Sequence, residues 1–184
     1  VFNEMKGAMS SVTSTLWNTL CENLFPTSTY HYNSGGDPRH IPDLSYEDLK
    51  AFYATHYHPS NAIFMTYGDI SAAEHQATFE EQALHRFSRL DERIAVGPEQ
   101  RLPAPLRVSE PYAFDESGGT QKRTHLVMGW MLGESADLLQ MLEAQLLASV
   151  LLDNSASPLQ HALETTSLGQ APSPLCGLED SMRE

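Results

Sequence analysis

The opening stretch of the chain carries an apolar stripe at helical spacing. At 100° per residue, the members of this stripe lie on one face of a helix: Met5, Met9, Val12, Leu16 and Leu20. Such a stripe is typical of a helix that packs on a core. The flank that holds Glu4 is otherwise made of small residues, Ala8, Ser11 and Thr15. We predict one helix over Val1–Phe25 whose flank can admit a close neighbour.

Two more helices are predicted in the next part of the chain. Gly, Pro and Asp residues between positions 27 and 43 give turn signals and indicate a long loop. Ser45 then suits the N-cap of a helix that ends near Tyr57. The following helix begins at Asp69 or Ser71 and continues to about Leu90.

Three apolar runs predict strands. Residues 61–67 form an uncharged run between Pro-Ser and Gly-Asp, as expected of a buried strand. Residues 106–114 are predicted to contain an edge strand, and residues 124–132 a second strand after the turn at Ser117–Gly119.

The C-terminal part is predicted to contain two helices. The first, Ala136–Leu152, is apolar on more than one face and is therefore predicted to be buried. Pro158 suits the first turn of the second, which runs over Leu159–Leu168. Strands followed by helices indicate an α+β fold in which helices pack on one face of an antiparallel sheet.

A composition change from Asp91 to Pro111 divides the chain. This stretch holds charged residues and four prolines, which is typical of a semi-rigid spacer. We predict a first domain at residues 1–95, a Pro-rich linker at 96–112 and a second domain at 113–184. The absence of an initiator Met and of a signal core at Val1 favours a piece of a larger protein.

Charge and motif content exclude several classes of function. The 184 residues carry 24 acidic and 11 basic side chains, a net charge of −13, which argues against nucleic-acid binding and leaves a cationic partner open. No apolar run is long enough to span a bilayer. Cys21 and Cys176 form neither a disulfide framework nor a CxxC motif, which fits a reducing compartment. HExxH, HxxEH, GxSxG, P-loop and GxGxxG motifs do not occur.

Glu4 and the histidines are the candidate metal ligands. A carboxylate in a first helical turn can be a partner of the helix dipole, a member of a salt bridge or a metal ligand, and the pattern leaves these alternatives open. Four histidines lie within 28 residues: His31, His40, His56 and His58. Two histidines at i, i+2 point to different sides of a helix, so His56 and His58 cannot both ligate one ion unless the helix has already ended, and we expect no self-contained metal site.

Three stretches resemble a known family. They are VFNEMKGAMSS at residues 1–11, SGGDP at residues 34–38 and HYHPSNA at residues 56–62, and they are similar to the presequence-protease branch of the insulinase and pitrilysin (M16) metallopeptidases. The resemblance is continuous to about Leu90 and weaker from about Arg107. It implies the α+β fold of M16-like (LuxS/MPP-like) domains, which this chain would hold incompletely.

The resemblance also implies a zinc site. Family members bind Zn²⁺ through the two histidines of an HxxEH motif, whose Glu is the general base, and through a Glu on a later helix. NEMKGA resembles this later helix, so the resemblance places Glu4 at the third zinc ligand. No catalytic residue is assigned, because the general base is expected upstream of this chain. The chain alone is therefore expected to be inactive and to bind zinc weakly or not at all.

The same resemblance implies the partners. Unstructured peptides would be the substrates, and the remainder of the parent chain would be the structural partner, with no nucleic acid and no membrane. The location would be the cytoplasm in a bacterium and the organellar matrix in a eukaryote. Unpaired edges of an incomplete sheet predict self-association. A non-catalytic structural or interaction subunit of the same fold and a free-standing α+β binding module are the alternative hypotheses.

Overall fold

A computed structural model describes residues 1–91, 94–170 and 172–184. Its α-helices are α1 (Phe2–Ala8), α2 (Val12–Leu24), α3 (Tyr46–His56), α4 (Ala72–Gln82), α5 (Leu138–Leu152) and α6 (Pro158–Thr165). Short 3-10 helices lie at Thr29–His31, Ile41–Asp43, Pro59–Asn61, Leu84–Arg86 and Glu116–Gly118. No helix of the described residues is long and apolar enough to cross a membrane.

The predicted first helix is divided in two, and serines explain the division. Ser10 Oγ donates to the Gly7 carbonyl at 2.6 Å, and Ser11 adopts an extended conformation as the N-cap of α2. Its hydroxyl accepts from the Ser14 N–H at 3.4 Å. Serine side chains compete in this way with the helical backbone. The prediction of one helix over Val1–Phe25 is therefore wrong.

Capping residues begin the next two helices. Ser45 and Asp48 form a capping box at α3, and Ser71 and Glu74 form another at α4. Each serine hydroxyl accepts from the backbone of the residue three positions on, while that residue's carboxylate accepts from the serine N–H. Both predicted helix starts are thus confirmed, although α4 ends at Gln82, before the predicted Leu90.

The described residues contain no β-strand, so the prediction of helices on an antiparallel sheet is wrong. A strand needs a backbone ladder with a partner, and an apolar run specifies side-chain positions without specifying that partner. At the end of the predicted strand 124–132, the Arg101 guanidinium donates to the Met131 carbonyl at 2.7 Å and also to the Leu132 carbonyl. The Tyr112 hydroxyl similarly donates to the Arg123 carbonyl. These carbonyls accept hydrogen bonds from side chains, whereas a strand would have paired them with backbone N–H groups.

The described chain divides into two units, Val1–Ile41 with Val96–Glu184 and Pro42–Ala95. The predicted first domain, residues 1–95, includes positions 92 and 93, which lie outside the described residues. In the first unit, α2 packs against the turn at Thr29–His31, and α5 packs against α6. In the second unit, α4 packs against Leu84–Arg86.

The apolar core of the first unit is small. Cys21 and Phe25 are the buried apolar side chains of the described residues, and the Phe25 ring meets Tyr30 edge to face at 5.4 Å. Five leucines of α5 are exposed, from 52% at Leu142 to 82% at Leu138, and no residue of this helix is buried, so the prediction that the helix is buried is wrong. Apolar residues lie on all sides of α5, which is typical of a buried helix, but α6 covers only part of the α5 surface.

Hydrogen bonds join distant segments of the same unit. We call this group the polar clasp; it comprises Thr27, Ser28, Tyr30, Glu99, Arg183 and Glu184. The Glu99 N–H donates to the Glu184 carboxylate at 2.9 Å, and the Arg183 N–H donates to the Tyr30 hydroxyl at 3.0 Å. The Arg183 guanidinium forms an ion pair with Glu134 at 3.1 Å. Polar contacts therefore bring together residues that lie far apart in sequence.

Candidate functional site

Glu4 lies in the first turn of α1 and presents an accessible carboxylate. Its side chain is 82% exposed, and Oε2 is 3.2 Å from the amino nitrogen of Val1. An ion pair between two exposed groups contributes little to stability, because water and salt screen it. The Glu4 carboxylate is therefore accessible to solvent.

The described residues by themselves do not fit zinc. A protein zinc site uses three or four side-chain ligands held at about 2.0–2.3 Å. In residues 1–91, 94–170 and 172–184, no three His, Cys, Asp or Glu residues lie close enough to hold a metal ion. Glu4 is thus one carboxylate without companion ligands in this part of the chain. Its assignment as a zinc ligand stays a prediction.

The residue beside Glu4 connects two of the motifs that carry the family resemblance. Met5, in NEMKGA, lies against Gly35, in SGGDP. A Cβ added to Gly35 would be 2.7 Å from the Met5 Cε and would collide with the sulfur. A side chain at position 35 would therefore displace the flexible end of Met5. The structure therefore brings α1 and the SGGDP loop into direct contact.

Local hydrogen bonds hold the SGGDP loop. The Gly35 N–H donates to Asn33 Oδ1 at 3.1 Å, and Gly36 has a φ of +87°. After the turn, Arg39 Nε donates to Asp37 Oδ2 at 2.9 Å. Hydrogen bonds from the Arg39 side chain and backbone lower the pKa of Asp37 to about 2. The loop that contacts Met5 is thus internally ordered.

The four histidines of the sequence prediction are divided between the units. His31 and His40 belong to the first unit, where His31 Nδ1 lies 3.0 Å from the Glu22 carbonyl. His56 and His58 belong to the second unit and line one open pocket of about 400 Å³. That the histidines do not form a self-contained metal site stays a prediction.

The pocket is mainly aromatic. Tyr53 and Tyr57 stack with ring centroids 5.0 Å apart, and His58 meets Phe87 edge to face at 5.2 Å. Phe64 adds a further ring to the wall. Sequence reasoning missed this site, although aromatic residues four apart on α3 were a signal that their rings share a face.

The two pocket histidines have opposite hydrogen-bonding roles. His56 Nδ1 lies 3.1 Å from the Phe52 carbonyl, so this nitrogen carries the proton and Nε2 is an acceptor in the neutral ring. His58 Nδ1 accepts from the Ser60 N–H at 3.1 Å, so its Nε2 is a donor. The neutral forms of the two rings therefore differ in which nitrogen carries the proton.

Comparison with known proteins identifies the family. Residues 43–175 match the family model described as the peptidase M16 inactive domain. The chain belongs to the peptidase M16 family. The resemblance based on NEMKGA, SGGDP and HYHPSNA is confirmed, and Met5 and Gly35 lie before the residues that the family model matches.

Individual M16 relatives match almost the whole chain. It is 38% identical over 185 residues to a protein of Xenopus laevis named "Presequence protease, mitochondrial", with 100% of this chain covered. Proteins of the same name from Mus musculus and Yarrowia lipolytica are 38% and 36% identical, with 100% and 98% of this chain covered. The chain spans about 18% of the length of these relatives.

Proposed function

We propose that this chain is part of a zinc-dependent metalloendopeptidase of the presequence-protease or insulinase type, which degrades unstructured peptides. The observation that carries the proposal is the 38% identity to a mitochondrial presequence protease, which extends over 100% of the chain and is not confined to a short motif. Bound zinc would supply an activated water for peptide hydrolysis.

Glu4 is proposed to supply one of three protein ligands to this zinc. The exposure of its carboxylate, which leaves it accessible to a metal ion, supports this role. The other two ligands and the general base would come from an HxxEH motif, which this chain does not contain. We therefore expect the chain alone to be inactive, and we derive no catalytic step from it.

Exposed area supports the remainder of the parent chain as the structural partner. The chain exposes 15,100 Å². Two compact domains with the sizes of the two units would together expose about 10,500 Å². Leucines of α5 contribute to the excess, and further polypeptide would cover them. The predicted domains at 1–95 and 113–184, with a linker at 96–112, remain part of this proposal.

The relatives' names also suggest substrates and location. We propose unstructured peptides as substrates, with neither nucleic acid nor a membrane as a partner; the net charge of −13 would attract basic peptides. The relatives are named as mitochondrial, which supports an organellar matrix in a eukaryote. For a bacterial parent we propose the cytoplasm.

A second candidate function is a non-catalytic structural or interaction subunit of the same family. The observation that favours it is the description of the matched family model as an inactive domain. An HxxEH motif in the parent sequence would support the peptidase, and its absence from the complete parent would support the subunit.

The test compares Glu4→Gln with Glu47→Gln in the complete parent protein. Glu47 is an exposed first-turn acid of α3, so it controls for the loss of one surface charge. Zinc content and cleavage of an unstructured peptide are measured. We expect Glu4→Gln to lose zinc and to reduce cleavage by more than about a hundredfold. Loss of a direct ligand should lower activity at least as much as loss of a residue that hydrogen-bonds to a ligand.

Two results would contradict these proposals separately. If Glu4→Gln retains zinc and activity like Glu47→Gln, Glu4 is not a ligand. If the parent with its native residues neither binds zinc nor cleaves peptides, the peptidase is excluded and the non-catalytic subunit is favoured.

A further inference from the structure

Residues 61–67 form an exposed apolar segment in the second unit. The exposed fractions are 95% at Ile63, 92% at Met65 and 105% at Tyr67. Between them, Phe64 is 54% exposed and packs against Phe79 of α4, with ring centroids 5.1 Å apart. Ala62 and Thr66 are exposed as well. Because side chains alternate along an extended chain, Ile63, Met65 and Tyr67 share the face opposite to Phe64.

The backbone of this segment is unpaired within the described residues. Ala62 has extended φ and ψ angles of −119° and 150°, and its N–H donates to the Pro59 carbonyl at 3.1 Å. Among residues 1–91, 94–170 and 172–184, no backbone hydrogen bond involves residues 63–67, and no helix, turn or bend interrupts residues 62–67. Donors and acceptors of consecutive residues are therefore free to pair with another extended chain.

The composition of the segment favours a second copy as that chain. NAIFMTY contains no charge, proline or glycine and is rich in residues that prefer strands, which is typical of segments that pair with themselves. The chain as a whole carries a net charge of −13, so two copies repel each other over most of their surfaces. The repulsion between two copies is smallest where their uncharged segments, residues 61–67, face each other.

We propose that two copies of this chain associate by antiparallel pairing of residues 61–67 about a twofold axis at Phe64. In this register Ile63 lies opposite Met65 of the other copy, and Asn61 lies opposite Tyr67. The fully exposed side chains of both copies then share one face, where they bury each other's apolar surface. A twofold axis makes the contact self-complementary. This association does not depend on the proposed peptidase function.

Matched lysine substitutions test the segment. Met65→Lys places a charge in the pairing segment, whereas Leu138→Lys adds the same charge to α5 at a side chain that is 82% exposed. Neither side chain is part of the buried core. Light scattering over a concentration series should show association of the native chain. We expect Met65→Lys to raise the dissociation constant about tenfold, since two apolar cross-strand pairs are lost, and Leu138→Lys to leave it unchanged.

Cysteine cross-linking tests the register. In chains with Cys176→Ser, Ile63→Cys and Met65→Cys place thiols at positions that face each other only between different copies. Oxidation of an equal mixture should give mainly the mixed disulfide dimer, because directly opposed residues lie within disulfide distance. Each variant alone should cross-link more slowly.

Several results would overturn the proposal. A native chain that stays monomeric throughout the concentration series excludes the association. Equal weakening by Met65→Lys and Leu138→Lys excludes the segment as its site. Cross-linking that is as fast for Ile63→Cys alone as for the mixture excludes the register about Phe64.

Discussion

The Glu99 carboxylate accepts a hydrogen bond from the Thr27 hydroxyl at 2.6 Å, although the two residues are 72 positions apart. Backbone N–H groups of Thr27, Ser28 and Gln100 donate to the same carboxylate at 3.0, 2.7 and 2.7 Å. Desolvation acts to raise the pKa of Glu99, but these hydrogen bonds outweigh it and lower the pKa to about 2. The ionised form is therefore the one that the fold stabilises.

Acid should weaken the first unit through this carboxylate. A carboxyl with a lowered pKa stabilises the fold fully above its usual pKa of 4.5, and this contribution is lost as the pH falls towards about 2. We expect the urea midpoint to fall over this range, and to fall less steeply in Glu99→Gln. Some dependence of the urea midpoint on pH should remain in Glu99→Gln, because the pKa of Asp37 is also lowered to about 2. An unchanged slope in Glu99→Gln would contradict the role assigned to Glu99.

The capping serines should stabilise α3 and α4. Ser45→Ala and Ser71→Ala each remove the hydroxyl that accepts from the third residue of the helix, at 3.1 and 3.3 Å. We expect each substitution to lower the free energy of unfolding of its unit by about 1 kcal/mol. Ser45→Thr keeps the oxygen and is the control. Hydrogen exchange of the first-turn amides should be faster in the alanine variants and nearly native in the threonine variant.

Two glycines should respond in opposite directions to alanine. Gly36 has a φ of +87°, and a Cβ there would lie 3.3 Å from Ile41 Cγ1, so Gly36→Ala should destabilise by about 1–2 kcal/mol. Gly7 lies within α1, and a Cβ there would have open space, so Gly7→Ala should stabilise this helix by up to about 1 kcal/mol. Urea unfolding of both variants provides the measurement. Similar effects at the two positions would contradict the backbone assignment.

Cys21 should be a protected thiol. Burial, and then the charges of Glu179 and Glu22, raise its pKa from 9.0 to about 11. In Cys176→Ser, which removes the exposed cysteine, alkylation at pH 8 should be about a hundredfold slower in the folded chain than in urea, because the thiolate fraction is smaller. The raised pKa also predicts a loss of stability as the pH rises from 9.0 towards 11. Equal alkylation rates in both states would show that Cys21 is accessible.

Local signals predicted where three of the helices begin. Ser45 and Ser71 specify helix starts because each hydroxyl satisfies a backbone donor within four residues, and Pro158 begins α6 for a similarly local reason. The end of α1 at Ala8 was not predicted, because the apolar stripe continues past Ser10 and Ser11 although the helical backbone does not. Periodicity reports which side chains share a face, and competing serine hydrogen bonds decide whether the helix persists.

Long-range partners could not be predicted. Residues 61–67 have the composition of a strand, but composition does not specify the chain with which they would pair. The hydrogen bond between Glu99 and Thr27 and the contact of Met5 with Gly35 likewise depend on how distant segments meet. The family was nevertheless recognisable, because NEMKGA, SGGDP and HYHPSNA retain their residues and order. Glu4 was placed by that likeness alone, and its role awaits the zinc measurement.

The polar clasp has a consequence for the order of folding. Its hydrogen bonds close loops of 72 residues between Thr27 and Glu99 and of 153 residues between Tyr30 and Arg183. Closing such loops costs chain entropy before any contact repays it, whereas the capped helices need only neighbouring residues. Helix formation should therefore precede the clasp by a resolvable interval. The overall folding rate of this helical chain will therefore be limited by the contacts between its most distant residues.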